Sequence, residues 1–263
     1  VHVLDPFGMT GRQSAAWNPF DEITDDDPFL MDKVRLIAES LVESTGSETY
    51  WTDAARGLLV GVCLHVLSGA APEARNLHTV RQLITDESPD AVWHAMQQNP
   101  AFGGLVRQYG NENTSRELKE INNVLQTLRV ATDWLDSPAM QAALSHSSFN
   151  LIDLKRERMT LYLVLPPGRG ASFSKWLRLL FNMAFDAMQD TSVAKPSDDV
   201  LFMLDEFPLL GRMERIERAS GEAAKFGVKL FIVVQHIAQL KRDYKEMWET
   251  FIANSFLLIV FSN

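Results

Sequence analysis

The sequence contains a single cysteine, Cys63, in 263 residues. A disulfide framework and a cysteine-built zinc site are therefore excluded, and the chain suits a reducing compartment. Long apolar runs are missing too. The longest, Gly57 to Ala71, is broken by His65 and Ser68, and is too short and too polar for a membrane span. The opening residues, Val1-His2-Val3-Leu4-Asp5, lack the basic region of a signal peptide. Positive charge is scarce: 25 Lys and Arg stand against 34 Asp and Glu, for a net charge of −9. Sequence-independent nucleic-acid binders are usually basic, so charge alone will not make this chain a strong DNA binder. The most consequential absence is G-x-x-x-x-G-K-[ST], the loop whose backbone amides and lysine cradle nucleotide phosphates. Gly168-Arg169-Gly170 has no Lys-Ser/Thr partner at the required spacing.

What is present begins with Val200-Leu201-Phe202-Met203-Leu204-Asp205-Glu206. Five apolar residues run into two adjacent carboxylates. Such a run reads as a strand buried on both faces of a parallel sheet. Ligands of open α/β sheets bind beyond the carboxyl ends of the strands. An apolar strand ending in Asp-Glu is the Walker B pattern, in which Asp orients a nucleotide-bound Mg²⁺ and Glu polarises the attacking water. The other reading is a strand ending in a solvated turn with two surface acids.

The surrounding periodicity supports an α/β domain. Val1–Leu4 is expected as a strand closed by the turn Asp5-Pro6-Phe7-Gly8, and Met159–Leu165 as a strand ended by Pro166-Pro167-Gly168. Phe173 to Met188 repeats at helical spacing. Arg212 to Phe226 reads as a helix stopped by Gly227, and Val228–Val234 as a further strand. Helices follow around Ile237–Tyr244 and over Glu246–Ala253, and Phe256–Phe261 is expected as a last strand. Strands alternating with helices imply a parallel, doubly wound sheet, with strand ends at 165, 205 and 235 on one edge. Between Asp27 and Phe149 only helical patterns occur: 30–41, 55–67, 77–85, 89–98 and 114–135, with a short helix starting at Ser137-Pro138. Pro19 disfavours helix at Asn18, and Asp25-Asp26-Asp27-Pro28 is a helix start. The expected domains are 1–27 and 149–263 as two parts of a nucleotide-binding domain, interrupted by an all-α domain over 28–148.

Few other residues carry chemistry. Gln235 ends the strand after Walker B. If the two strands are neighbours, its amide sits beside the Asp-Glu pair, able to sense a γ-phosphate or hold the attacking water. His236 is expected simply to begin the next helix. Arg212, Arg215, Arg218 and Lys225 are candidates for an arginine finger, or form a solvated helix face. His65, His78, His94 and His146 are scattered rather than grouped as metal ligands. From Pro28 to Ser147 nine Lys and Arg face fourteen Asp and Glu. Trp51, Trp93 and Trp134 are expected in the core rather than on a docking face.

The order of these segments resembles one family. Leu204-Asp205-Glu206-Phe207-Pro208-Leu209-Leu210-Gly211 is similar to an Asp-Glu-Phe-x-x-Leu-Gly motif. Val233-Val234-Gln235 with Gln239-Leu240 is similar to a glutamine motif, and Trp248–Asn254 to the helix after it. Asn18-Pro19-Phe20-Asp21 and Tyr50–Arg56 complete the set. Together they resemble the type IV secretion coupling proteins, the TraG/TraD-type conjugation ATPases. The resemblance covers nearly the whole chain. It implies a RecA-like P-loop ATPase fold interrupted by an all-α domain, the sheet being incomplete here. It also implies a hexameric motor at the cytoplasmic face of the bacterial inner membrane, with ATP and Mg²⁺ as cofactors in the intact protein. The all-α domain would recruit a relaxase–DNA complex or secreted effector proteins, alongside type IV secretion ATPases and inner-membrane components. Asp205 and Glu206 would take the Walker B roles, Asp205 reaching Mg²⁺ indirectly, and Gln235 the sensing role. The chain begins without Met, inside a strand pattern, so Walker A and the membrane helices are expected upstream of Val1 in a longer protein. Alone, this piece is expected to be monomeric and inactive. Ala224-Lys225-Phe226-Gly227 departs from an Arg common before that glycine in the family, which puts a finger there in doubt. The alternatives are a non-catalytic substrate-docking module and an FtsK-like septal DNA translocase.

Overall fold

The computed structural model describes residues 1–43, 49–85, 89–219 and 223–261. Among them the elements run β1 (His2–Leu4), α1 (Leu30–Leu41), α2 (Thr49–Gly69), α3 (Leu77–Thr85), α4 (Pro89–Gln97), α5 (Ala101–Thr114), α6 (Leu118–Ala131), α7 (Pro138–Ala143) and α8 (Asp153–Arg156). Then come β2 (Leu161–Leu163), α9 (Ser174–Gln189), β3 (Val200–Leu204), α10 (Glu214–Ala219), β4 (Val228–Ile232), α11 (Ile237–Tyr244) and α12 (Trp248–Ala253). The chain divides into two compact units, 1–151 with 160–183, and 152–159 with 184–263.

The first unit is built on α2. Its side chains from Ala55 through Leu67 are apolar on nearly every face, as a helix enclosed by others must be, and it packs against α1, α3, α5 and α6. Cys63 lies fully inside, where burial pushes its thiol pKa up and leaves it inert. The apolar stripe at 30–41 is α1, which starts at Leu30 and not at the expected Pro28, where the chain is still in a turn; the predicted helix at 77–85 is α3, and that at 89–98 is α4 less one residue. The expected helix over 114–135 is shorter: α6 ends at Ala131, and a 3₁₀ turn takes Asp133–Asp136.

The pattern missed α5 altogether. This helix holds Gly103, Gly104 and Gly110, and its Phe102-Gly103-Gly104 start turns left-handed, with Phe102 at φ 52°. Glycine lowers helical propensity, but Gly110 has a packing reason. A Cβ there would stand 2.7 Å from the backbone N of Gln97 and 2.9 Å from the carbonyl of Trp93. Its bareness lets α5 lie directly on α4.

Polar ties fix the rest of the unit. Arg81 forks onto Asp136 at 2.9 and 2.7 Å and also donates to the Arg129 carbonyl and the Thr132 hydroxyl, joining α3 to the end of α6. Asn18 caps the 3₁₀ turn Pro19–Glu22, accepting from Phe20 N, while its amide donates to the Arg75 carbonyl at 2.7 Å. Glu22 accepts from the Trp17 indole and from Leu151 N, both at 2.9 Å. The segment Asn18–Glu22 is therefore a brace that ties two distant stretches of chain, at Arg75 and at Leu151, to itself. In the same unit β1 and β2 pair in parallel, His2 opposite Leu161 and Leu4 opposite Leu163.

The second unit holds β3 and β4, also parallel, with Val200 opposite Val228 and Leu204 opposite Ile232. Among the described residues the strands thus form two pairs, β1 with β2 and β3 with β4, where one continuous sheet was expected. The ends at 205 and 235 come together in one pair; the end near 165 belongs to the other. Burial on both faces is also corrected. Val200, Phe202 and Leu204 are half-buried, and Phe202 meets Phe185 of α9 edge-on. On the opposite face Leu201 and Met203 are 56% and 61% exposed, next to exposed Phe231 of β4. Residues 256–261 form no strand; they are apolar, exposed and without a ladder partner in the described residues. The predicted 212–226 helix is two pieces, α10 and a 3₁₀ turn at Ala223–Phe226, with residues 220–222 outside the described set. Gly227 follows at φ 75°, as its predicted stop role requires.

Gly110→Ala is expected to destabilise the chain by about 1–3 kcal/mol, the usual cost of overpacking a tight contact. A lower urea midpoint at unchanged m-value checks it.

Candidate functional site

The site grows from the register of β3 and β4. Pairing continues one step past the strands: Val233 N donates to the Leu204 carbonyl at 3.0 Å, and Phe207 N to the Val233 carbonyl at 3.2 Å. The two chains therefore leave the sheet side by side. One leaves as Asp205-Glu206, the other as Val234-Gln235. The Gln235 amide Nε2 then donates to Glu206 Oε1 at 3.2 Å. A carboxylate only accepts, so the amide must turn its nitrogen toward it. That leaves a second N–H on Gln235, its carbonyl Oε1, and Oε2 of Glu206 unspent. One such group can donate to a phosphate oxygen, and two can accept both protons of a single water.

What holds these chains in place lies beneath them. Glu206 starts a 3₁₀ turn, Phe207–Leu210, which ends at Gly211 with φ 62° and ψ −158°, a conformation open essentially to glycine alone. Phe207 is buried and stacks on Tyr244 of α11, 5.7 Å between ring centroids, while Phe251 of α12 closes edge-on against both. The Tyr244 hydroxyl accepts from Met213 N at 3.2 Å and donates to the Gly211 carbonyl at 3.4 Å. The chain after the carboxylates is thus clamped onto the helices that follow Gln235.

Asp205 and Glu206 are exposed, and neither forms an ion pair among the described residues. Two adjacent unneutralised carboxylates at a strand end fit a magnesium-bound nucleotide, whose metal favours oxygen ligands and retained waters. Phosphate cradling is not supplied by any glycine-lysine loop in the sequence. Among the described residues no group of three or more His, Cys, Asp or Glu is arranged to hold a metal directly.

His236 is the residue before α11, a structural position as expected. Arg215 pairs with Asp186 at 3.1 Å and Arg212 with Glu217 at 3.3 Å. Both are engaged locally rather than reaching outward. The Arg218 side chain lies outside the described residues. Lys225 sits in the 3₁₀ turn before Gly227. Each histidine of the helical region is isolated: His65 meets Asn99 at 3.1 Å and its pKa is lowered by burial, His94 meets Gln97, His146 meets Ser145, and His78 sits on α3. Trp93 and Trp134 are buried, whereas Trp51 is half-buried against the exposed ring of Tyr50. No helix among the described residues is long and apolar enough to cross a membrane.

The profile of the family "Type IV secretory system Conjugative DNA transfer" matches residues 1–263. The chain belongs to that family. It is 29% identical over 255 residues to a conjugal transfer protein TraG of Escherichia coli, covering 88% of this chain and 40% of TraG. It is 33% identical over 124 residues to VirD4 of Rhizobium rhizogenes, covering 46% of this chain and 18% of VirD4. The chain thus spans about two fifths or less of these relatives. Among solved structures it superposes on the conjugative coupling protein TrwB with a TM-score of 0.72 at 13% identity, over 96% of this chain and 56% of TrwB. A TrwB complex with ADP and Mg²⁺ matches at a TM-score of 0.70 and 14% identity. At such identity the likeness concerns the fold. The expected class, a RecA-like α/β fold combined with an all-α part, is the one shared with TrwB.

Gly211→Ala is expected to cost about 1–3 kcal/mol through backbone strain. The loss should appear in thermal unfolding and, by NMR, as a changed Gln235 side-chain amide resonance.

Proposed function

We propose that this chain carries the water-activating part of an ATP-driven type IV secretion coupling protein. The observation that supports it most is the 3.2 Å contact between Gln235 Nε2 and Glu206 Oε1 at the carboxyl ends of adjacent parallel strands. It joins the two motifs that a P-loop motor needs side by side, and the family relationship gives those motifs their context. Nucleotide when bound supplies the phosphoanhydride and its Mg²⁺ the charge that draws electrons from it. The residues of this chain do the rest. Asp205 would hold the Mg²⁺ indirectly and so help to orient the nucleotide. Glu206 accepts a proton of the attacking water, raising the electron density on its oxygen. Gln235 holds Glu206 in place with one N–H and keeps the other for a γ-phosphate oxygen, so that it reports whether that phosphate is present.

The domain assignment belongs to the same reading: 1–27 and 149–263 form the nucleotide-binding domain, and 28–148 the all-α domain that recruits substrates. Those substrates are a relaxase–DNA complex or secreted effector proteins. In the intact protein six subunits assemble at the cytoplasmic face of the inner membrane, next to other secretion ATPases.

In the longer protein containing the phosphate loop, Glu206→Gln is expected to abolish hydrolysis while leaving ATP binding intact, because the amide keeps the shape but not the basicity. Steady-state hydrolysis and equilibrium nucleotide binding decide it; an unchanged rate removes Glu206 as the catalytic carboxylate. The 263-residue chain by itself is expected to turn over Mg·ATP no faster than background.

A further inference from the structure

The sheet holds the chain that carries Gln235 only as far as Val233, whose N–H and carbonyl make the last ladder bonds. Two residues later Gln235 is exposed, outside the strand and not yet in α11. Its side chain still reaches Glu206 at a defined distance, so something else must fix its backbone. The hydrogen bonds point to one side chain. Oε1 of Gln239 accepts from Gln235 N at 3.0 Å and from His236 N at 3.2 Å.

We infer that Gln239 is a positioning residue, holding the Gln235 backbone so that its amide stays on Glu206. A glutamine at the third position of a helix commonly reaches back to the N–H of the residue before it. Here the same oxygen reaches one residue further and takes the Gln235 N–H as well. Gln239 is itself fixed from below. It is half-buried on α11, its N–H donates to the His236 carbonyl at 3.0 Å, and its neighbours Leu240 and Tyr244 are buried. The chain of contacts therefore runs from the aromatic cluster through α11 and Gln239 to Gln235, and ends on the Glu206 carboxylate. Without the Gln239 oxygen, two backbone N–H groups would turn to water. Gln235 would then sample orientations in which its amide leaves Glu206, at no cost to the fold of β4.

This inference rests on the roles given above to Glu206 and Gln235, and its test separates the two. Gln239→Met keeps the length and removes the acceptor; Gln239→Glu keeps an oxygen acceptor. In the longer ATPase, Gln239→Met should lower kcat about tenfold, the worth of one well-made hydrogen bond. KM should stay nearly unchanged, and Gln239→Glu should restore kcat. Adding Gln239→Met to Gln235→Ala should cost nothing further, because the first acts only through the second. Fully additive losses, or a kcat indifferent to Gln239→Met, overturn the inference. A second measurement needs no catalysis. In the 263-residue chain, the Gln235 side-chain amide resonance should shift with Glu206→Gln and Gln239→Met but not with Gln239→Glu. If Glu206→Gln leaves hydrolysis untouched, the catalytic reading fails while this resonance still tests the clamp. If Glu206→Gln abolishes hydrolysis and the resonance ignores Gln239→Met, the clamp alone fails.

Discussion

The second unit depends on three rings. Phe207 follows the carboxylates, Tyr244 ends α11, and Phe251 sits in α12; they meet at centroid distances of 4.6 to 5.8 Å. Aromatic pairs of this kind contribute beyond the area they bury. Their importance here is topological. β3 and β4 are only five residues each, and a two-stranded parallel pair is weakly stable unless something covers it. The cluster joins the chain leaving β3 to the helices that follow β4, so the two strand ends cannot slide in register without breaking it. The Tyr244 hydroxyl extends the same constraint to Gly211 and Met213. Buried apolar contacts thus set the geometry, and exposed polar groups at the surface inherit it.

Much of this was legible in the sequence, for identifiable reasons. The five apolar residues before Asp205-Glu206 and those before Gln235 were long enough to read as strands, and adjacency of parallel strands then brought Gln235 toward Glu206. Helices with uninterrupted apolar stripes were read most closely: α3 to the residue, and α1 over its whole stripe, although it starts at Leu30 and not at the expected Pro28. What escaped was tertiary. α5 was hidden because Gly110, which looks like a helix breaker, is there to admit the backbone of α4. Gln239 belonged to a recognisable motif, but nothing in its spacing said that its oxygen would serve two N–H groups.

The strand faces show the converse failure. Val200-Leu201-Phe202-Met203-Leu204 reads as buried on both sides because every residue is apolar. Period-two burial in the structure shows one face half-covered and one exposed. Composition reports how a strand tolerates burial, while coverage depends on which layers are present. The same holds for 256–261, whose residues favour a strand but which has no ladder to join among the described residues. Strand propensity is chiefly a fit to neighbours on a pleated surface, and without them the pattern has no structural consequence.

The choice of glutamine at position 235 also follows from electrostatics. Asp205 and Glu206 are adjacent like charges, and a cation beside them would be the simplest way to relieve their repulsion. Lys or Arg at 235 would do that permanently and would hold Glu206 as an ion pair. An amide donates one hydrogen bond and carries no charge, so the carboxylates stay negative and their unneutralised field remains to be met from outside the chain. In the proposed role a Mg²⁺-bound nucleotide would meet it, and Glu206 keeps an oxygen free for the attacking water. The nearby cations agree with this, since Arg212 and Arg215 are drawn off by Glu217 and Asp186. A neutral partner for Glu206, held by a neutral clamp, keeps the pair positioned without quenching it.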